Sequence, residues 1–247
     1  MVNQNFLKGE NRVTEFLNGL LIFIVYLTPC AVVMLLIRKF TKIPDELFRK
    51  ILHFILLGAY IPLLFGFDTW WRAIILVVAM AALLFPVLLL AGKIPGFSSF
   101  VNERKKGEFL SSMLLALGVM AATTAVGWGI MKDQYIVLAS VYAWGVGDGF
   151  AALIGKKFGK HKIKWKFVDN KKSYEGSAAM LLTSALAVFT VLMVRGGINP
   201  LFAAAIALVA ALVSTFVELC SKGGIDTVTC PAISMVIIVA LTELVGG

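Results

Sequence analysis

The sequence predicts an all-α fold, a polytopic bundle of about eight transmembrane helices, and three observations carry that reading. Apolar runs near bilayer length recur along the 247 residues, 60% of residues are hydrophobic, and only 15% are charged. Mean hydropathy is +0.90. An ordinary soluble domain carries about a quarter charged residues and cannot hide this much apolar surface. The runs lack the alternating polarity of barrel strands, and lipid forbids open sheet edges, so helices are the remaining way to span. A water-soluble enzyme, a disordered chain and a disulfide-stapled secreted module are excluded. Cys30, Cys220 and Cys230 fit no disulfide or zinc spacing.

Bounding each apolar run by its flanking charges places the spans in order. The first four are Phe16 to Ile37, Ile51 to Phe67, Ala73 to Ala91 and Phe109 to Met131. The second four are Tyr135 to Ile154, Ala178 to Val194, Leu201 to Leu219 and Ala232 to Val245. Crossing hydrocarbon takes roughly 20 residues, so the shorter runs must borrow from their flanks. Glu10 and Glu15 precede the first run and no small-residue cleavage site follows it, so it reads as a retained span rather than a signal peptide. No fixed-period repeat and no matched pair of interrupted helices is visible, which predicts one transmembrane domain over residues 1–247.

Lysine and arginine are uneven between the spans. The tail before the first span has 2, the successive loops have 5, 1, 4, 1, 8, 1 and 1, and the C-terminus has none. High counts on alternate loops place those loops in the cytoplasm and both termini outside. The net charge of +9 calls for an acidic partner, either lipid headgroups or a phosphorylated substrate. Nucleic acid is not expected, because the basic residues sit in short loops and no aromatic-basic surface module is present.

Acids within spans are costly in hydrocarbon and persist with a partner, a cavity or a job; here they are Asp148, Glu218 and Glu243. Asp148 lies in Trp144-Gly-Val-Gly-Asp-Gly149, where three glycines bare the backbone around one carboxylate and imply a close approach. Asp148, Ala152, Gly155 and Gly159 then share one helical stripe. Helix packing explains the glycines but not the acid.

The loop over residues 156–177 holds eight lysines. For the first six, cytoplasmic retention and attraction to anionic lipid, at about 1 kcal/mol per lysine, are sufficient. The second cluster, Lys172-Ser173-Tyr-Glu175-Gly176-Ser177, sets a cation, hydroxyls and an acid at a helix start, where free N–H groups favour phosphate. Ser173 as an ordinary cap is compatible with that. Neither a Walker A loop nor a soluble-kinase glycine loop is present.

Arg49 and His53 lie one turn apart at the start of span two, with Lys50 beside them. Snorkelling explains the two cations but not a histidine a turn deeper. Glu218 closes span seven, and Ser221-Lys-Gly-Gly-Ile-Asp226 follows, a corner whose hard oxygens suit Mg²⁺. Glu103-Arg-Lys-Lys-Gly-Glu108 reads as a solvated charge run. Charge counting alone puts all these constellations on one membrane face.

Taken in order, Arg49-Lys50-x-x-His53, Gly147-Asp148-x-x-Ala-x-x-x-Gly155-x-x-x-Gly159, Lys172-Ser173-x-Glu175-Gly176-Ser177 and Glu218 with Gly224-x-Asp226-x-x-Thr229-x-Pro231 resemble the CTP-dependent lipid kinase group. That group comprises dolichol kinase, phytol and farnesol kinases and the fungal CTP-dependent diacylglycerol kinase. The match covers residues 49–231 and departs at Thr227, where the group usually has Asn. The resemblance implies transfer of the γ-phosphoryl group of CTP, with Mg²⁺, to the hydroxyl of a membrane-dissolved alcohol on the cytoplasmic side. It implies Asp148, Glu218 and Asp226 as metal residues. Nucleotide would be held by Arg49, Lys50, Gly155, Gly159, Lys172, Ser173, Gly176 and Ser177, and Asp148, Glu175, His53 and Lys172 would serve catalysis. The rival readings are a phosphatidate cytidylyltransferase-type enzyme and an anionic-solute transporter; the missing inverted repeat counts against the transporter.

Overall fold

The computed structural model describes residues 2–101, 103, 105, 107–166, 168–169, 172–221 and 223–246, with backbone alone for 2–12, 99–100 and 246. Arg104, Lys106, Asn170, Lys171 and Lys222, all used in the sequence reading, lie outside the described residues. The described chain is all-helical, and its one β-like pairing is an isolated bridge between Lys162 and Ser173.

The helices are α1 (Val2–Phe40), α2 (Asp45–Gly58), α3 (Tyr60–Phe65), α4 (Trp70–Ala91), α5 (Phe97–Phe100), α6 (Glu108–Thr123), α7 (Gln134–Phe158), α8 (Tyr174–Arg195), α9 (Pro200–Cys220) and α10 (Asp226–Gly246). Among the described residues, eight helical stretches are long and apolar enough to cross a membrane, so the fold class and span count agree with the sequence reading. Most helices extend past the apolar runs, and three differences matter for the site. Span two is two helices, α2 and α3, interrupted at Ala59. The eighth helix begins at Asp226 and carries Pro231 inside it, so the residues read as a connection are its first turns. The basic connection is shorter than 156–177, since α7 runs to Phe158 and α8 starts at Tyr174.

The contacts cluster into two compact units. One comprises Met1–Phe48 and Gly58–Ala125. In it Arg72, almost wholly buried, donates to Glu15 at 2.6 Å with Asp68 at 3.8 Å, and Tyr60 shares a 3.3 Å hydrogen bond with Thr123. A buried guanidinium needs such carboxylates, because an unpaired charge out of water is costly.

The other unit comprises Arg49–Leu57 and Val126–Gly247, and α7 is its axis. Val137, Ala139, Val141 and Ala143 of α7 are buried against α8, α9 and α10, while Leu182, Leu186, Leu212 and Val236 remain exposed, as side chains facing hydrocarbon do. A π-helical stretch, Thr124–Ile130, leads into it. Asp133 caps α7 by accepting from the amides of Tyr135 (2.8 Å) and Ile136 (3.3 Å), and its other oxygen pairs with Arg195 at 2.6 Å. Asn199 caps α9, with Pro200 at the first helical position, where its missing N–H costs nothing.

Candidate active site

Within the α7 unit, the Arg49–Leu57 part of α2, the middle of α7, the approach to α8, the end of α9 and the start of α10 come together. The spacing in α2 sets the first contact. Lys50 and His53, three residues apart, share a face, and Lys50 Nζ lies 2.8 Å from Asp148 Oδ2. Their side chains are only 12% and 21% exposed, so each charge depends on the other. His53 Nε2 is 2.8 Å from the Gly145 carbonyl and 3.8 Å from Asp148 Oδ2. Since the carbonyl can only accept, Nε2 carries the proton and donates. The His53 ring stands edge-on to Trp144 with centroids 5.3 Å apart, and Trp144 Nε1 donates to Asp226 Oδ2 at 3.1 Å. Lys50, Asp148, His53, Trp144 and Asp226 form one continuous chain of contacts.

A second ion pair stands beside it. Lys172 Nζ lies 2.8 Å from Glu218 Oε1, donates to the Glu218 carbonyl, and lies 3.4 Å from the Ser221 carbonyl. One ammonium thus serves both a carboxylate and the open C-terminal carbonyls of α9, where the helix dipole favours a cation. The charges of Asp148 and Asp226 reach Glu218, and that of Lys172 reaches Asp148, so the two pairs share one electrostatic environment.

The glycines have a different use from the one their bareness suggested. A Cβ on Gly145 would meet Leu57, one on Gly147 would meet Ser184 and Met180 Cγ (2.8 Å), and one on Gly149 would meet the Phe54 ring. What approaches Asp148 closely is therefore α2 on one flank and α8 on another. Gly155 and Gly176 sit back to back, with a Cβ on Gly176 only 3.3 Å from Gly155 Cα, and a Cβ on Gly159 would run into Ser173 Oγ and the Gly155 carbonyl. Ser173 is buried and accepts from the Gly176 amide at 3.2 Å as the cap of α8. Ser177 donates back to the Ser173 carbonyl at 3.1 Å. The space around Gly155, Gly159, Ser173 and Gly176 is filled by helix packing and capping.

Glu175 is drawn to the basic loop: it accepts from the amides of Lys160 (3.2 Å) and His161 (3.1 Å) and pairs with His161 Nδ1 at 2.7 Å. Arg49, partly buried, neighbours Lys50 at the start of the same face set. Glu243 lies elsewhere. It lines a cavity of about 490 Å³ with Asp133, Ile136, Arg195 and Thr242, some 15 residues or ~22 Å of helix away from Asp148. None of the motif residues lines that cavity, and chemistry rather than volume selects the site.

Trp144 is the residue that motif reading passed over, although an indole N–H inside a span needs an acceptor and so pointed to a nearby carboxylate. Among the described residues no group of three or more His, Cys, Asp and Glu is assembled to hold a metal by itself. The carboxylates suit an ion shared with phosphates, since Mg²⁺ keeps one or two protein oxygens and fills the rest from phosphate and water.

Two known proteins are similar to part of the chain. Over 155 residues, 61% of this chain and 60% of the relative, it is 29% identical to a phytol kinase of Synechocystis sp.. Over 88 residues, 36% of this chain and 27% of the relative, it is 34% identical to a probable chloroplastic phytol kinase of Triticum aestivum. The chain is similar to these two phytol kinases over part of its length. It spans less than two thirds of the length of either. No family model and no solved structure matches it. The similarity agrees with the lipid kinase resemblance carried by residues 49–231.

Proposed function

We propose that the chain is a membrane-embedded kinase that transfers the γ-phosphoryl group of CTP to the hydroxyl of a lipid alcohol, of the isoprenoid class to which phytol belongs, on the cytoplasmic face. The observation that carries the reading is the pairing of two part-buried lysines with two part-buried carboxylates in a membrane bundle, Lys50 with Asp148 and Lys172 with Glu218. Phosphoryl transfer asks the protein mainly for charge neutralisation and alignment, and these residues supply both signs of charge in a place of low dielectric.

Each pair is neutral at rest. Lys50 and Lys172 are the cations that would turn from carboxylate to phosphate oxygens, with Arg49 as a third positive group. Asp148 and Glu218 are the carboxylates that would hold Mg²⁺, with Asp226 kept in place by Trp144. Mg²⁺ would supply charge neutralisation on the phosphates. His53, with Nε2 committed to the Gly145 carbonyl, keeps Nδ1 free to accept a proton, so His53 or Asp148 would take the proton of the alcohol. Glu175, occupied by loop amides, is assigned to loop structure. Gly155, Gly159, Gly176 and Ser173 are assigned to bringing α7 and α8 together, which fixes where Lys172 can reach.

The test is the purified chain in lipid nanodiscs with γ-labelled CTP, Mg²⁺ and a panel of lipid alcohols. Label in an alkyl monophosphate with CDP released is the expected result. Pyrophosphate release with CMP attached to a lipid phosphate would replace the kinase reading with a cytidylyltransferase, and labelled product with ATP alone would overturn the nucleotide assignment.

A further inference from the structure

The connection between α7 and α8 is richer than a retention signal requires. It is folded back on itself: the Lys162–Ser173 bridge closes it, the Ile163 amide donates to the Lys172 carbonyl at 3.1 Å, and the Tyr174 amide donates to the His161 carbonyl at 3.0 Å. Glu175 ties down the amides of Lys160 and His161. Ile163 and Val168 are buried, 2% and 5% exposed, so they pin the segment to the α7 unit. A free, solvated lysine run would bury neither.

With those two residues turned in, the outward surface is of one kind. Lys156, Lys157, Lys160, Lys162, Lys164 and Lys166 are exposed. Among them stand three large aromatics, Phe158 (54% exposed), Trp165 (55%) and Tyr174 (54%). An exposed indole between lysines, at the end of two membrane-spanning helices, has the composition of a membrane interface: the ring rests at headgroup level and the ammonium groups face anionic phosphates. The sequence holds no acidic residue between Lys156 and Lys166, and Asp169 is the exposed acid on the same loop.

We propose that Lys160, Lys162, Lys164, Trp165 and Lys166 of the folded loop, with Lys156 to Phe158 at the end of α7, form a docking surface for anionic phospholipid headgroups, with Trp165 as its interfacial anchor. The partner is fixed by charge complementarity and by position at the ends of α7 and α8. The surface is independent of the reaction performed at the Lys50–Asp148 site.

The experiment is native mass spectrometry of the full chain extracted from bilayers containing equal phosphatidylglycerol and phosphatidylcholine. Wild type is expected to retain phosphatidylglycerol in preference, and raised salt should abolish that preference, since exposed charges are screened. Each of Lys162→Gln, Lys164→Gln and Lys166→Gln is expected to lower the preference about fivefold, the equivalent of about 1 kcal/mol per lysine near an anionic surface. Trp165→Ala is expected to shorten lipid retention without changing the salt response. Equal retention of the two lipids by wild type, or a preference indifferent to both salt and lysine removal, overturns the proposal. The salt series on the unmodified chain keeps the test decisive if a variant fails to fold.

Discussion

Replacing Lys50 by Met leaves the Asp148 carboxylate inside the bundle without its cation. The separation is 2.8 Å and the two side chains are 12% and 21% exposed, so the pair is mostly desolvated but not sealed. Removing one partner of a fully buried pair costs 3 to 5 kcal/mol, and the residual exposure puts this case at about 3 kcal/mol. For a chain of this size that is a fall of roughly 6 to 12 °C in the unfolding midpoint. The diagnostic variant is the double one. Asp148→Asn added to Lys50→Met removes the stranded charge and should recover about 2 kcal/mol of the loss, a coupling that independent sites would not show. With Cys30→Ser and Cys220→Ser in every chain compared, reaction of a thiol-reactive dye with Cys230, which is buried in the folded protein, reports unfolding during a thermal ramp. A double variant no more stable than Lys50→Met would refute the reasoning, because the cost would then come from lost packing and not from an uncompensated charge.

Trp144→Phe keeps the ring against His53 but removes the donor to Asp226, and should cost about 1 to 2 kcal/mol by the same ramp, with Asp226 freed. Gly147→Ala drives a methyl into Ser184 and Met180 and should destabilise by about 1 to 3 kcal/mol, whereas Gly118→Ala, where nothing lies within 4 Å, should be neutral or slightly stabilising; equal effects would contradict the close-approach reading. Ser173→Ala removes the cap of α8 and should cost about 1 kcal/mol, readable as faster amide exchange at Gly176. Glu218→Gln leaves Lys172 its two carbonyl partners, so thermal stability should change by no more than about 1 kcal/mol while any phosphoryl transfer falls sharply, a split that a purely structural ion pair would not produce.

The spans were legible because a length of about 20 apolar residues is imposed by the bilayer itself, and each run ends where a charge would otherwise enter hydrocarbon. The same physics made Asp148 and Glu218 stand out, and both are found paired with lysines. What sequence could not settle was partner and direction. Arg49 and His53 were read as the facing pair in α2, yet Lys50 is the residue that meets Asp148, since at i, i+3 and i, i+4 two choices are geometrically equal and only the position of α7 decides. The glycines around Asp148 announced close approach correctly but not of what, because a bare backbone serves a helix and a ligand alike. Pro231 looked like a loop residue because a proline's harm depends on where the helix starts. Ile163 and Val168 were hidden among lysines, where two apolar residues carry no periodicity and only the folded loop reveals that they are buried.

The most direct measurement is single-turnover transfer from γ-labelled CTP to phytol by the wild-type chain and by Asp148→Asn, both in the same nanodiscs and both shown folded by unchanged protection of Cys230. Labelled phytyl monophosphate from wild type and at least a hundredfold slower formation by Asp148→Asn, on the order of 3 kcal/mol of lost transition-state stabilisation, is what the account predicts. Transfer by the variant at the wild-type rate would contradict it, and would move the chemistry away from the Lys50–Asp148 pair.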